Sequence, residues 1–144
     1  MKTYILYAAV AAAIAGGVWL SRRPAPATEA EAATPAQGAA LVAISLPETL
    51  SAQAVMGKRA FETTCITCHG KNATGKAGFG PPLVHKIYEP SHHGDMAFLA
   101  AAQIGVRAHH WRFGNMPPQE GLTRADTANI VTYVRELQRA NGIN

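Results

Sequence analysis

The clearest pattern in the chain is an apolar stripe near its carboxyl end. The stripe has the i, i+3, i+4, i+7 spacing of one helix face and consists of Ile130, Tyr133, Val134 and Leu137. Thr123 and Asp126 precede it with the spacing of a capping box, and Gly142 follows it. We therefore predict an amphipathic last helix that begins after Thr123 and ends near Gly142.

A first helix is predicted between the N-cap Ser51 and about Cys68. Residues of one face recur there every three or four positions, at Ala54, Gly57, Phe61 and Cys65. The glycines and prolines of residues 70–91 predict a long loop after this helix.

A middle helix is predicted to be capped by Asp95 and to end at Gly105. Its inward-facing residues are expected to be Phe98, Leu99 and Ala102. No segment alternates between apolar and polar residues as a strand does, so the predicted fold class is all-α.

The amino-terminal segment differs from the rest in composition. Seventeen uncharged residues, 4–20, lie between Lys2 and the pair Arg22-Arg23. A signal peptide has an apolar region of about 7–15 residues, and a spanning helix needs at least about 17. We interpret residues 1–23 as a membrane anchor rather than a cleaved signal, because two arginines are unusual at a cleavage region. Cleavage would instead give a soluble periplasmic protein.

The remaining chain divides into two parts. Residues 24–44 are rich in alanine and proline and contain no aromatic side chain, which is typical of a linker. Residues 45–144 form the predicted domain. Only 15% of the chain is charged, and no run of Lys or Arg exceeds two residues, so a nucleic-acid-binding function is excluded.

The two cysteines carry the chemistry. Cys65, Cys68 and His69 form the sequence C-x-x-C-H, which is the attachment motif of haem c. A thioredoxin-like redox pair would require a βαβ context, and a zinc site would require a second pair of ligands. Neither context is present, so we predict one covalently bound haem with His69 as an iron ligand.

The second iron ligand is predicted to be Met116. Pro117 favours an extended backbone at Met116, and a methionine on a proline-stiffened loop is poorly placed as core filler. Met56 lies too near the attachment motif in sequence to reach the far face of the ring, and Met96 opens the middle helix. A ligating histidine usually donates its other ring proton to a carbonyl, and the turn at residues 80–83 is a source of one.

These motifs together resemble a class I, mono-haem cytochrome c, over about residues 50–142. The resemblance rests on the attachment motif, the turn Gly80-Pro81-Pro82-Leu83, the sequence Asn115-Met116-Pro117 and the last helix. It implies a cytochrome c fold of three to five helices around one haem, preceded by a membrane helix and linker. The first and last helices would cross, so that Gly57 and Phe61 meet Tyr133 and Leu137. The resemblance also implies that the Pro81 carbonyl accepts from His69 and that Met116 is the axial ligand.

The family pattern does not require the histidine-rich segment before Met116. The histidines beyond His69 are His85, His92, His93, His109 and His110. We interpret them as surface or propionate-side residues, because adjacent histidines rarely point the same way on regular structure. A second metal site or a bis-histidine haem is the alternative. Trp111 and Arg112 are predicted to hold a haem propionate, as Tyr88 could.

The predicted function is electron transfer rather than catalysis. Two axial ligands leave the iron no open position, and no other catalytic constellation is present. The expected partners are redox proteins, such as an oxidase, reductase or dehydrogenase subunit, on the periplasmic side of a bacterial inner membrane. No small-molecule substrate is expected. The alternatives are a haem enzyme or a gas or peroxide sensor with a labile sixth ligand, and a copper-handling protein that uses the histidine pairs.

Overall fold

The structure, a computed structural model, describes residues 34–144, in which the regular secondary structure is helical. Four α-helices are joined by loops and 3₁₀ turns: α1 Ala52–Thr64, α2 Ile66–His69, α3 Asp95–Ile104 and α4 Arg124–Ala140, with turns at Lys71–Ala73 and Lys86–Tyr88. The described part of the chain contains two isolated β-bridges but no strand, which confirms the predicted all-α class there.

No helix in residues 34–144 has the length and apolar character needed to span a bilayer. The predicted anchor, residues 1–23, lies outside the described residues.

Helix α1 begins where the sequence predicts. The Ser51 hydroxyl accepts a hydrogen bond from the Ala54 N–H at 3.1 Å, which satisfies one of the free donors of the first turn. The helix is interrupted at Cys65 and resumes as the short α2, which ends at Gly70 with a φ of 72°. The single helix predicted to about Cys68 is therefore two helices in close succession.

Helix α4 confirms the predicted capping box. The Thr123 hydroxyl accepts from the Asp126 N–H, and the Asp126 carboxylate accepts from the Thr123 N–H at 3.0 Å. The Thr123 hydroxyl also donates to the Asp126 carboxylate at 2.6 Å. This hydrogen bond, and after it the one from the Thr123 N–H, lowers the pKa of Asp126. The predicted stripe of Ile130, Tyr133, Val134 and Leu137 is buried along its whole length.

The predicted cap of helix α3 is wrong. Gly94 occupies the N-cap position, and Asp95 is the first helical residue. The Asp95 carboxylate instead accepts from the Arg135 Nε–H at 2.8 Å, so it binds across to α4 rather than to its own helix. Gly105 ends the helix as predicted, with a φ of 76°.

Helices α1 and α4 form the main packing interface. A Cβ on Gly57 would overlap the backbone carbonyl of Asn129 and press on the Ile130 nitrogen, so only glycine allows this approach. The contact at Gly57 therefore lies one turn earlier on α4 than the resemblance implied. Phe61 meets the edge of Tyr133 at 5.7 Å between ring centroids, as expected.

A buried polar cluster fixes the loops against α4. It is called the Arg135 network here and consists of Arg135, Gln138, Asp95 and the carbonyls of Leu83, Tyr88 and His93. Arg135 is only 7% exposed and Gln138 is fully buried, yet both are satisfied by these partners. The network therefore orders residues 83–95, which border the site described below.

Part of the predicted linker packs on the domain. The backbone of residues 38–42 exchanges four hydrogen bonds with Thr74 and Ala77. Further on, the Asn141 side chain pairs with both the N–H and the carbonyl of Ser45. The described chain is thus held by the domain from about residue 38, earlier than the predicted boundary at residue 45.

Candidate haem site

One apolar cavity of about 710 Å³ lies between the helices and the loops. This volume is within the range of roughly 300–1,000 Å³ that small-molecule and cofactor sites occupy. Four parts of the chain supply most of the lining: the attachment motif with residues 79–83, the inner face of α3, residues 105–117, and the first half of α4 with Thr127, Ile130 and Val131. The sequence-predicted residues that line it are Cys65, Cys68, His69, Pro81, Trp111 and Met116.

Both cysteines face the cavity and form no disulfide. Cys65 stands between α1 and α2, and Cys68 lies in α2, so one helical turn presents both sulfurs. Burial, and secondarily the charge of the neighbouring Cys68 side chain, raises the pKa of the Cys65 thiol to about 11. Cys65 is therefore a neutral thiol at physiological pH, and Cys68 is accessible to solvent.

His69 is oriented by the proline turn. Its Nδ1–H donates to the Pro81 carbonyl at 2.9 Å, which leaves the Nε2 lone pair free. Burial lowers the pKa of His69, and the hydrogen bond to Pro81 only partly opposes this. A Cβ on Gly80 would crowd the Cys68 carbonyl, so the glycine lets the turn pack directly on α2. The result is a neutral imidazole held in one orientation, which is the form a metal binds.

Met116 lies on the loop that closes the cavity. Its backbone forms an antiparallel bridge with Val106, with both N–H···O distances at 2.9 Å. Gly105 has no Cβ to press on the Met116 carbonyl, which permits this pairing. Met56 and Met96 are 52% and 61% exposed and do not line the cavity. Among the described methionines, Met116 alone lines it.

Trp111 and Arg112 have different surroundings. The Trp111 indole Nε1–H is buried without a hydrogen-bond partner. It lies near the Tyr88 hydroxyl; burial raises the pKa of Tyr88, and the Trp111 side chain partly opposes this rise. Arg112 is exposed and does not line the cavity, which differs from its predicted role. Trp111 and Phe113 both line the cavity, and their rings stack at 6.1 Å between centroids, while Arg112 between them is exposed.

Several lining residues were not identified from the sequence. Small residues of α3, including Ala97 and Ala101, form one wall of the cavity, and Phe113 and Val106 contribute apolar surface from the closing loop. The alternation of Trp111, Arg112 and Phe113 was the available signal for Phe113. The alanines of α3 gave no signal, because alanine is common throughout this chain.

The residues present fit a covalently attached haem. Two thiols one helical turn apart, an oriented neutral imidazole and an apolar cavity supply the attachment points, an iron ligand and the surroundings that haem requires. The unpartnered Trp111 N–H is a donor without an acceptor, and a haem propionate would supply one. The arrangement defines a c-type haem protein.

A family comparison agrees with this class. The family model for cytochrome c matches residues 54–138, which is more than half of the 144 residues, and the chain belongs to the cytochrome c family. Membership implies a covalently bound haem c and electron transfer.

Proposed function

We propose that this protein is an electron carrier with one haem c, ligated axially by His69 and Met116. The observation that carries the proposal is that Cys65, Cys68, His69 and Met116 all line a single cavity. Haem supplies an iron that cycles between Fe(II) and Fe(III), and its two axial positions would both be filled by side chains of the protein. The protein is then a carrier and not an enzyme.

The two proposed iron ligands, His69 and Met116, are held in position by different contacts. His69 is fixed by its hydrogen bond to Pro81, so its Nε2 is available without a change of tautomer. Met116 is positioned through its backbone pairing with Val106. A thioether is a weaker donor to iron than imidazole, and this combination raises the reduction potential relative to two histidines.

The other lining residues would exclude water and hold the propionates. The α3 wall and the Trp111–Phe113 pair make most of the cavity apolar, which also favours the less charged Fe(II) state. Trp111, with its free indole N–H, is the proposed propionate donor, and Tyr88 lies beside it.

The proposed partners are redox proteins with acidic docking surfaces. Two residues at the edge of the cavity, Cys68 and Phe79, are exposed, so an electron could enter or leave there. The Lys76 ammonium lies 4.4 Å from the Phe79 ring centroid and places positive charge at this edge. The chain as a whole carries a net charge of +4. Such charge steers association with an acidic partner.

The proposed location is the periplasmic side of a bacterial inner membrane. The argument is the apolar segment at residues 4–20, followed by the alanine- and proline-rich stretch. An anchored carrier would stay near its membrane-bound partners at an effective concentration on the order of millimolar. Carbonate-washed membranes test this: retention of the full-length chain supports the anchor, and a soluble, shortened chain contradicts it.

The attachment is tested by replacing both cysteines. A Cys65→Ser, Cys68→Ser double variant should show no covalent haem on a denaturing gel and no cooperative thermal unfolding, because haem fills the cavity that these few large side chains cannot. Thr67→Ala, an exposed change between the cysteines, is the matched control and should retain haem. A double variant that unfolds cooperatively would contradict the proposal.

The carrier function is tested on the wild-type protein. Redox titration should give one reversible electron per iron, and the reduced protein should not bind carbon monoxide within minutes, since both axial positions are filled. Rapid carbon monoxide binding or turnover of peroxide would contradict the proposal and favour an enzyme or a sensor.

A further inference from the structure

Four histidines from two separate loops meet beside the cavity. His92 and His93 precede α3, and His109 and His110 lie on the loop that carries Met116. One potential ligand nitrogen from each of His92, His93 and His110 lies within 4.8 Å of the other two. The His109 ring is 4.3 Å from that of His110 between centroids.

Both histidine pairs lie in irregular backbone. The tendency of adjacent histidines to point in different directions applies only to regular helices and strands. Regular helix or strand geometry would separate neighbouring side chains, whereas residues 90–93 and 109–113 form turns and bends. In each turn, both members of a pair can therefore reach the same side of the molecule. The expectation that these pairs would not converge is wrong for this reason.

Two of the rings are oriented by backbone carbonyls. His93 Nδ1 donates to the Ile87 carbonyl at 2.6 Å, and His109 Nδ1 donates to the Arg107 carbonyl at 2.8 Å. A metal-ligating histidine usually donates its Nδ1 proton in this way, because the hydrogen bond leaves the Nε2 lone pair free to bind the metal. The Arg135 network binds the His93 carbonyl as well, so the first pair is fixed before any metal arrives.

The rings of His92 and His110 form no hydrogen bond to any other described residue. His92 Nε2 and His110 Nε2 face each other at 3.4 Å, and both side chains are exposed to solvent. Both Nε2 atoms therefore lie where a single ion would contact them.

We propose that His92, His93 and His110 form a second metal site, for a copper ion, next to the haem cavity. Metal–imidazole bonds of about 2.0–2.1 Å place two ligands of a tetrahedron about 3.3 Å apart. The 3.4 Å separation of His92 and His110 matches this distance. His93 completes a set of three nitrogens, and His109 supports the site from the side of His110.

Copper is favoured by the ligands and by the position. Imidazole binds copper, zinc, nickel and iron, and among divalent first-row ions the affinity is highest for Cu²⁺. His93, His109 and His110 also line the cavity, so the metal would lie beside a redox centre. A redox-active ion can exchange an electron with such a centre, and zinc cannot.

Metal binding would also join two loops. His92 and His93 belong to the segment fixed by the Arg135 network, whereas His110 belongs to the loop between Val106 and Met116. A bound ion would restrain that loop and the methionine it carries. The site therefore adds stability that depends on copper concentration.

The test is copper binding by the full-length haem-loaded protein. Isothermal titration calorimetry with Cu²⁺, and elemental analysis after dialysis, should give one copper per iron. The double variant His92→Ala, His110→Ala should lose at least about 100-fold in affinity, because losing a ligand exceeds the roughly 10- to 100-fold effect of losing a supporting contact. His92 is exposed and does not line the cavity, so the single variant His92→Ala should weaken copper binding without changing the haem absorption.

His85→Asn is the matched control. It removes a histidine outside the three-nitrogen set, and asparagine can still accept from the Ile87 N–H that His85 caps. The control should bind copper as the wild type does. Equal copper binding by the wild type and the double variant, or none by the wild type, would overturn the site. Zinc binding as tight as copper binding would overturn the assignment to copper.

Discussion

The α1–α4 interface and the loops over the cavity are stabilised by different interactions. The interface is apolar and close-packed, with Gly57 against the α4 backbone and Phe61 against Tyr133. The loops contain few large buried side chains and depend on the Arg135 network and on backbone bridges such as Val106–Met116. The interface is therefore stabilised by packing between the two helices, whereas the loops depend on polar contacts and on the proposed haem.

The largest effect on stability is expected from Gly57→Ala, which disrupts the α1–α4 interface. The added Cβ would overlap the Asn129 carbonyl, and a backbone atom cannot move aside as a side chain can. We expect a loss of more than about 3 kcal/mol in the free energy of unfolding, measured by denaturant titration.

Met56→Ala is the control for this change. Met56 is the neighbouring residue on α1 and is exposed, so its truncation should change stability by less than about 0.5 kcal/mol. A Gly57→Ala variant as stable as this control would show that the helices can separate freely, contrary to the account.

The second-largest effect on stability is expected from Arg135→Ala, which removes the contacts that order the loops. The substitution removes the donors to the Tyr88 and His93 carbonyls and to Asp95, and leaves part of the network unsatisfied. We expect a loss of about 2–3 kcal/mol. Hydrogen exchange should rise in residues 83–95 and not along α1, which separates the two regions directly.

Arg139→Ala provides the comparison on the same helix. The Arg139 side chain is exposed and its ion pair with Glu136 is long, at 4.0 Å, so we expect little change. Uniform exchange over the whole domain in Arg135→Ala would instead mean that loops and interface unfold as one unit.

The smallest effect is expected from Tyr133→Phe. The hydroxyl donates to Asn72 Oδ1 at 3.1 Å, and its loss should cost about 1 kcal/mol in stability. Burial, and then the charge of Glu62, raises the pKa of Tyr133 to about 12, above its usual value of about 10.

The raised pKa of Tyr133 makes the stability of the folded protein depend on pH. Because the folded state retains the phenol proton more tightly, the stabilisation is fully present below about pH 10 and is lost as the pH rises through about 12. Stability measured between pH 9 and 12 should fall more steeply in the wild type than in Tyr133→Phe. Parallel curves would show that the hydroxyl does not set this dependence.

The sequence predicted elements whose signals are local. The caps at Ser51 and at Thr123 with Asp126 are defined within four residues, and the structure confirms both. Asp95 shows the limit of such signals, because its carboxylate is used by Arg135, forty residues away. Local signals also fail for Arg135 and Gln138, which are polar but lie on the buried side of α4.

The site was partly predictable for the same reason. Cys65, Cys68 and His69 are contiguous, so their shared orientation follows from one helical turn. The histidine pairs come together only because two irregular loops meet, and no periodicity describes that meeting. The positions of Trp111 and Arg112 depend on how an irregular loop bends, and the sequence does not specify this.

The absorption spectrum of Met116→Ala, compared with that of Met96→Ala, tests the central claim most directly. The claim is that the loop over the cavity supplies the thioether to iron, and Met96 is exposed outside the cavity. We predict that Met116→Ala loses the methionine–iron charge-transfer band and gains carbon monoxide binding, with a lower reduction potential, while Met96→Ala keeps the wild-type spectrum. A charge-transfer band that survives in Met116→Ala and disappears in Met96→Ala would contradict the claim.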